Sequence, residues 1–369
     1  MGQGTETKTR EDPKVEIQEK GEVFFFYRPK VGKKEAHSAD DVQRMYVVLR
    51  PESAPDRAVE EKQAPDSGKE GKKRKTRHGG DEKGPADGGN EGGHGKEVTN
   101  ERDRSFDSQI YIRLKNLHVA HRLVLCQEVN VEEKPLLRLI VMGKKSLPDP
   151  AKHGRPFWGY VDLVTTDVQD IKDALKGAEY DTATRGKRHQ SAARAMGEGV
   201  YRILKHEGRG GRPHTHLVYK LELPSRVGDG DEGGVGEPQE AMNVEPEASF
   251  LVQIKNPEQR GGGGGGGFGG LQGKRKAAFP EHLQGRFGSN RYAPADPPDL
   301  LNYEGCELLL ISASDDVEEE LGLELQTETE EEAEKGGGEG GRAGAGCSDL
   351  MKMFGEVADV KPLLSGSWD

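Results

Sequence analysis

NVEPEASFLVQIKNP, residues 243–257, echoes NVEEKPLLRLIVM at residues 130–142. Both open on Asn-Val-Glu and run into an apolar stretch. At an offset of 113, Leu137, Leu139 and Val141 fall on Phe250, Val252 and Ile254. A segment written twice implies a fold made of two related parts, so the remaining members of each copy should be findable in the chain.

Short apolar runs with period-2 alternation predict eight strands. The first four are EVFFFYRPK (22–30), VQRMYVVLRP (42–51), LLRLIVMG (136–143) and WGYVDLVTT (158–166). The second four are GVYRILKHE (199–207), THLVYKLELP (215–224), SFLVQIKNP (249–257) and GCELLLISAS (305–314). A helix signal follows each set. In TDVQDIKDALKG, Thr166 and Gln169 form a capping box, Val168, Ile171 and Leu175 share a face, and Gly177 is the stop. In SDDVEEELGLEL, Asp315 or Asp316 caps, Val317 and Leu321 share a face, and Gly322 ends the helix.

The expected fold is therefore α+β, mainly antiparallel β. Two similar ββββα halves, products of an internal duplication, share one core with their sheets paired edge to edge or face to face. The copies are too long for solenoid units, which run about 20–45 residues. The expected order is a disordered N-terminus (1–20), a first half (21–176) carrying an insertion at 54–128, a basic connecting loop (177–198) and a second half (199–326). Flexible insertions are expected at 226–240 and 258–275, and a disordered acidic, Gly-rich tail at 327–369. Such Gly- and charge-rich segments cannot offset chain entropy. Within the first insertion, Ile110, Ile112 and Leu114 alternate and could form a strand pair.

Composition narrows the function classes. The net charge of −11 argues against general nucleic-acid binding, which needs a surplus of Lys and Arg on one face. Cys126, Cys306 and Cys347 are widely spaced and form no CxxC pair, which speaks against a disulfide framework or zinc site and for a reducing interior. The polar N-terminus carries no signal-peptide pattern, and no run approaches the ~20 apolar residues of a membrane helix. The expectation is a soluble cytoplasmic protein, with Lys72-Lys73-Arg74-Lys75 as a potential nuclear-import run. No cofactor and no metal is expected.

Chemistry concentrates first in the joint between the halves, GAEYDTATRGKRHQSAARAMGEG (177–199). Arg185, Lys187, Arg188, His189 and Arg194 gather positive charge there, and Arg presents a fork suited to carboxylate or phosphate. The plainer reading is a solvated crossing loop whose Arg side chains pair with acidic residues nearby. His214 and His216 project to one side of a strand, but no HExxH or carboxylate triad accompanies them, so ordinary strand-edge histidines are the simpler reading. Asp162, a charge inside WGYVDLV, is either a buried acid–base carboxylate or a mark of the solvent face. No GxSxG, no paired Cys and His, and no nucleotide fingerprint is present.

The stretches GEVFFFYRPK, EAHSADDVQRMYVVLRPES, LLRLIVMGKKSLPDP, WGYVDLVTT, HTHLVYKLELP, FPEHLQGRFG and RYAPADPPDLLNYEGCELLLISASDDVEEELGLEL resemble an uncharacterised family of soluble plant proteins with shorter bacterial relatives. The resemblance covers about residues 21–53 and 129–326, with 101–128 departing from the pattern. It implies a soluble protein, and it brings no catalytic residues because no activity is established for the family. The expected function is a non-catalytic binding module that meets a protein partner or small anionic ligand at the seam between its halves. The alternative is an enzyme on a phosphorylated or carboxylated small molecule, with Arg185 and Arg188 holding the anion and His189 or His216 moving protons.

Overall fold

The computed structural model describes residues 4–52, 135–184, 186–207, 213–224, 235–259, 271, 275–327 and 348–368. The 54–128 insertion, most of 226–240 and 258–275, the acidic run after 327, Arg185, Cys126 and Cys347 lie outside the described residues.

Strand β1 (Thr5–Lys8) precedes a meander of four: β2 (Val15–Pro29), β3 (Val42–Pro51), β4 (Leu137–Met142) and β5 (Phe157–Thr165). Helix α1 (Val168–Leu175) and the strand pair β6 (Ala178–Thr182) and β7 (Gly186–Gln190) follow. A second meander comprises β8 (Arg194–Glu207), β9 (Pro213–Leu223), β10 (Glu247–Lys255) and β12 (Glu307–Ser314). Short pieces interrupt it: α2 (Glu237–Ala241), α3 (Glu281–Gln284) and β11 (Tyr292–Pro294). The chain then forms α4 (Val317–Leu321) and β13 (Leu323–Gln326), and later α5 (Asp349–Phe354) and α6 (Lys361–Ser365).

The two meanders close into one antiparallel barrel of eight strands. Closure uses like with like: β2 pairs with β8, the first strand of each meander, and β5 pairs with β12, the last of each. Helices are few and short, so the molecule is mainly β rather than an α+β arrangement. All eight sequence-read strands are present in order. The expected disordered ends are not: residues 5–8 pair with β13, β2 begins at Val15, and residues 348–368 carry two helices.

Alternate residues of all eight strands enter one cluster, which fills the barrel. Val23, Phe25, Val47, Ile140, Val161, Ile203, Leu217, Phe250 and Leu308 belong to it. The opposite faces of β2–β5 meet α1, α5 and α6 through Phe24, Phe26, Val48, Leu139, Ile171, Phe354 and Leu363. The outer face of β8 and β9 meets α4 and β13 through Leu204, Val218, Leu321 and Leu323. These strands are thus buried on both sides, like strands of a helix-covered sheet. Bulges at Gln18, Asp162 and Met196 bend the strands, as closure requires. At Gly199 a Cβ would stand 2.1 Å from the Lys220 carbonyl oxygen, so β8 and β9 approach there as only glycine permits.

The offset of 113 needs correction at the level of faces. Leu137, Leu139 and Val141 point outward, whereas Phe250, Val252 and Ile254 point into the barrel. A one-residue shift, aligning Ile140 with Val252 and Met142 with Ile254, restores agreement. The helix caps also differ slightly. Asp167, not Thr166, caps α1 by accepting from Gln169 N, and Lys176 is its C-cap, while Asp316 and Gly322 bracket α4 as expected.

One ion pair lies inside the barrel. Arg138 shares the inward parity of Ile140, and Glu19 that of Val23. Arg138 donates to both Glu19 oxygens at 2.5 and 2.8 Å and to Asn302 Oδ1 at 2.8 Å, while Tyr201 OH donates to Glu19 at 2.8 Å. Burial opposes the charge on Arg138, and Glu19 outweighs it, holding the guanidinium pKa above its usual value. Elsewhere the interior leaves an apolar cavity of about 20 Å³ lined by Phe25, Leu217, Tyr219 and Phe250. That is room for one water at most, in a site with no polar lining to hold it. The interior is a packed core, not a ligand chamber.

Removing one partner of the pair leaves the other charge buried and alone. Arg138→Met is expected to cost about 3–5 kcal/mol in urea unfolding, and adding Glu19→Gln should recover part of the loss. A double variant whose cost equals the sum of the Arg138→Met and Glu19→Gln costs would show that the pair is not coupled.

Candidate functional site

The expected basic loop is a hairpin with a defined root. Arg28, only 2% exposed, donates to the carbonyls of Ala174 (2.6 Å), Lys176 (3.1 Å) and Ser191 (3.0 Å) and to Tyr46 OH (3.1 Å). One guanidinium thereby satisfies the orphan carbonyls at the end of α1 and fixes both strands where the hairpin begins. Gly186, at φ +65°, supplies the left-handed turn residue, and Thr182 Oγ1 donates to its carbonyl at 3.0 Å.

The hairpin packs on the loop between β2 and β3. Gly32 N donates to His189 O (2.9 Å), Ser191 Oγ to Lys33 O (2.6 Å), and Arg194 Nη2 to Lys34 O (2.7 Å). These bonds set the exposed Lys30, Lys33 and Lys34 beside the hairpin. From the other side, Lys145 Nζ donates to the Ala39 and Asp40 carbonyls at 3.4 and 3.2 Å.

Register divides the predicted basic cluster. His189 lies opposite Glu179 and Lys187 opposite Asp181, so the exposed face of the hairpin carries alternating signs. His189 Nδ1 stands 3.8 Å from Glu179 Oε1. Arg188 falls on the other, half-buried face, opposite Tyr180. Arg194 is engaged by Asp359, with Nε 3.4 Å from Oδ2. In the loop, Lys33 pairs with Asp41, whose carboxyl that hydrogen bond holds below the usual range. Among the described residues, Arg188, Lys30 and Lys34 are the basic groups that define the face without an ion pair of their own. The sequence reading missed the loop lysines because RPKVGKKEAHS lies about 150 residues earlier, and only barrel closure brings it to the hairpin.

The other candidates do not join this face. Asp162 is the bulged residue of β5, on the outer side with Tyr160, and its Oδ1 is 3.6 Å from Arg275 Nη2. Burial first, and Asp162 next, raise the Tyr160 phenol above its ordinary pKa. The histidines sit at the opposite end of β8: His206 is twelve residues beyond Arg194, about 40 Å of strand. There His206, which the sequence reading missed, faces its cross-strand partner His214 and the buried His216, with ring centroids 5.6 and 4.6 Å away. His216 Nδ1 contacts Ser249 Oγ at 2.9 Å and lies 3.7 Å from Glu320 of α4. His216 Nε2 and His206 Nδ1 are buried without a hydrogen-bond partner among the described residues. His216 is thus a core histidine, not an edge one.

Among the described residues, no three His, Cys, Asp or Glu side chains are arranged to hold a metal ion. No described helix is long and apolar enough to cross a membrane. Burial pushes the Cys306 thiol well above its ordinary pKa, which makes it an inert core residue. Compared with protein-family models, curated proteins and solved structures, the chain matches none.

Burial, and then His206 and His214, push His216 down from 6.5 to about 3. The imidazole folds neutral, so its stabilising effect is complete above the unfolded value. That effect is lost as pH falls from 6.5 toward 3, by about 1.4 kcal/mol per unit. His216→Gln should flatten the acid limb of unfolding free energy against pH, measured by urea titration. An unchanged limb would locate the acid sensitivity elsewhere.

Proposed function

We propose that the protein is a non-catalytic binding module that recognises an acidic partner segment on the face formed by Lys30, Lys34 and Arg188. The observation that carries this reading is the docking of the inter-meander hairpin on the β2–β3 loop through three hydrogen bonds, which holds cations from distant parts of the chain side by side. Lys30 and Lys34 are exposed and Arg188 is half-buried, an arrangement that suits an extended segment better than a small enclosed anion. Recognition of spaced carboxylates by Lys and Arg on a rigid support follows the usual pattern of acidic-motif binding. An enzymatic reading lacks a comparable arrangement. His189 and its acidic neighbour stand on an exposed strand face, and His216 lies at the far end of the barrel.

We also infer that the two ββββα segments descend from one copied ancestor and that the protein works inside the cell. The pairing of first strand with first and last with last supports the first inference, as does a helix after each meander packed on that meander's third strand.

Fluorescence anisotropy with a labelled oligoglutamate peptide tests the binding reading. Binding should weaken with added salt, and Lys34→Glu with Arg188→Glu should reduce affinity by about tenfold or more through repulsion. Wild-type and doubly substituted proteins with the same affinity would eliminate this face as the site.

A further inference from the structure

Residues 348–368 lie across the outside of a barrel whose eight strands already pair in a closed ring without them. Backbone to backbone, the segment meets a barrel strand around one isolated bridge, between Arg194 and Asp359, where Ala195 N donates to Asp359 O at 2.8 Å. In sequence it is attached through ETEEEAEKGGGEGGRAGAGC, residues 328–347, which has no large apolar residue.

Its polar docking has two main places, while Leu350, Ala358 and Leu363 pack on the outer cluster and Trp368, a member of the barrel cluster, meets Tyr27 edge-on at 5.5 Å and accepts from Tyr27 OH at 2.9 Å. At the front, Glu198 of β8 accepts from Ser348 Oγ, from Asp349 N (2.9 Å) and from Leu350 N (3.1 Å), closing off the start of α5. Arg50 of β3 pairs with Asp349 at 2.6 Å and with Glu22 of β2, and Lys352 also reaches Asp349 at 3.2 Å. Behind this clasp Phe354 meets Phe24 and Phe26 edge-on, with centroids 5.8 and 5.7 Å away. At the rear, two acidic side chains take cations bordering the hairpin: Asp359 engages Arg194, and Glu356 lies 2.8 Å from Lys172.

We propose that residues 348–368 are a regulatory strap, released as a unit at the Glu22–Arg50–Asp349 and Glu198–Ser348 clasp, whose departure frees Arg194 and Lys172 to extend the acidic-segment face. The regulatory part rests on the binding function proposed above; the release itself does not.

The clasp carries its own pH dependence. The charged groups facing it are Glu22, Arg50, Glu198, Glu222 of β9, and Asp349 and Lys352 of α5. Burial, opposed by Arg50 and reinforced by Asp349 and Glu198, pushes Glu22 up from 4.5 to about 7. Burial also raises Glu198, with Glu222 adding to it. Undocking exposes Glu22 and lets its pKa fall, so the docked state holds the proton more tightly. Docking is therefore firmest in acid and weakens as pH rises to about 7, by up to about tenfold per unit.

Hydrogen exchange on the full-length protein tests the release. After correction for intrinsic rates, amides 350–358 should open independently of the barrel strands, and their opening should increase from pH 5 to 7. Glu22→Gln should reduce that increase, leaving the part that Glu198 contributes. Exchange of these amides only together with those of β2 and β3, at every pH, would show that the segment is integral to the barrel and overturn the proposal. Oligoglutamate anisotropy tests the regulation: Glu198→Gln, and separately Asp359→Asn with Glu356→Gln, should each tighten binding several-fold. A strap that opens while these variants bind like wild type would overturn its regulatory role alone. A probe that binds no form of the protein would overturn the binding function and leave the exchange result standing.

Discussion

The hydrogen-bonded seam between β2 and β8 is the constraint on which the rest depends. It runs from Val15 opposite His206 to Tyr27 opposite Arg194. Without it, each meander would end in an open edge with unpaired backbone groups, a configuration that invites association. Because the strands are antiparallel, β8 must start beside the end of β2. The chain leaving β5 therefore has to arrive next to the β2–β3 loop, and the hairpin that makes this crossing has nowhere else to lie. The basic face is thus a consequence of how the barrel closes.

The same burial that made the strands easy to find made their faces hard to assign. VFFF in β2 and LLL in β12 are apolar without interruption because helices or strands cover the outside of the barrel while side chains fill the inside. A strand wetted on one side advertises its orientation by alternation; one buried on both sides does not. Hence the paired stretches at 130 and 243 led to the correct third strand of each meander but with one set of side chains inverted. Other elements gave weaker signals still. AEYDT and GKRHQ are polar throughout, and DLMKMF is a short amphipathic run behind a Gly-rich stretch. Its helical character depends on Glu198, 151 residues away, to receive its first amides.

Charge was legible in number and misleading in distribution. Five basic residues between 185 and 194 suggest a patch, yet register sets Glu179 and Asp181 opposite two of them and the C-terminal segment contributes Asp359 to a third. Sequence proximity places like charges near one another, whereas cross-strand pairing decides what each one faces. The cations that define the face come from two distant stretches of chain that meet at one end of the seam, one loop and one hairpin, and are joined through backbone atoms that carry no sequence signature.

The buried ion pairs share a pattern that bears on why they are kept. Glu19–Arg138 joins β2 to β4 across the interior, Lys255–Glu307 joins β10 to β12, and Arg50 joins β2 and β3 to α5. Desolvation offsets most of what such pairs gain, so net stability is a weak reason for retaining them against apolar side chains of similar size. Register is a better reason. A strand apolar on both faces can slip by two residues at little cost in burial, but a slip that moves Arg138 away from Glu19 strands two charges in a dry interior. The ionic pairs therefore penalise the misalignments that the apolar pattern tolerates, and the chain's long insertion between β3 and β4 makes that penalty most useful at β4, the strand farthest in sequence from the barrel strand before it within its meander.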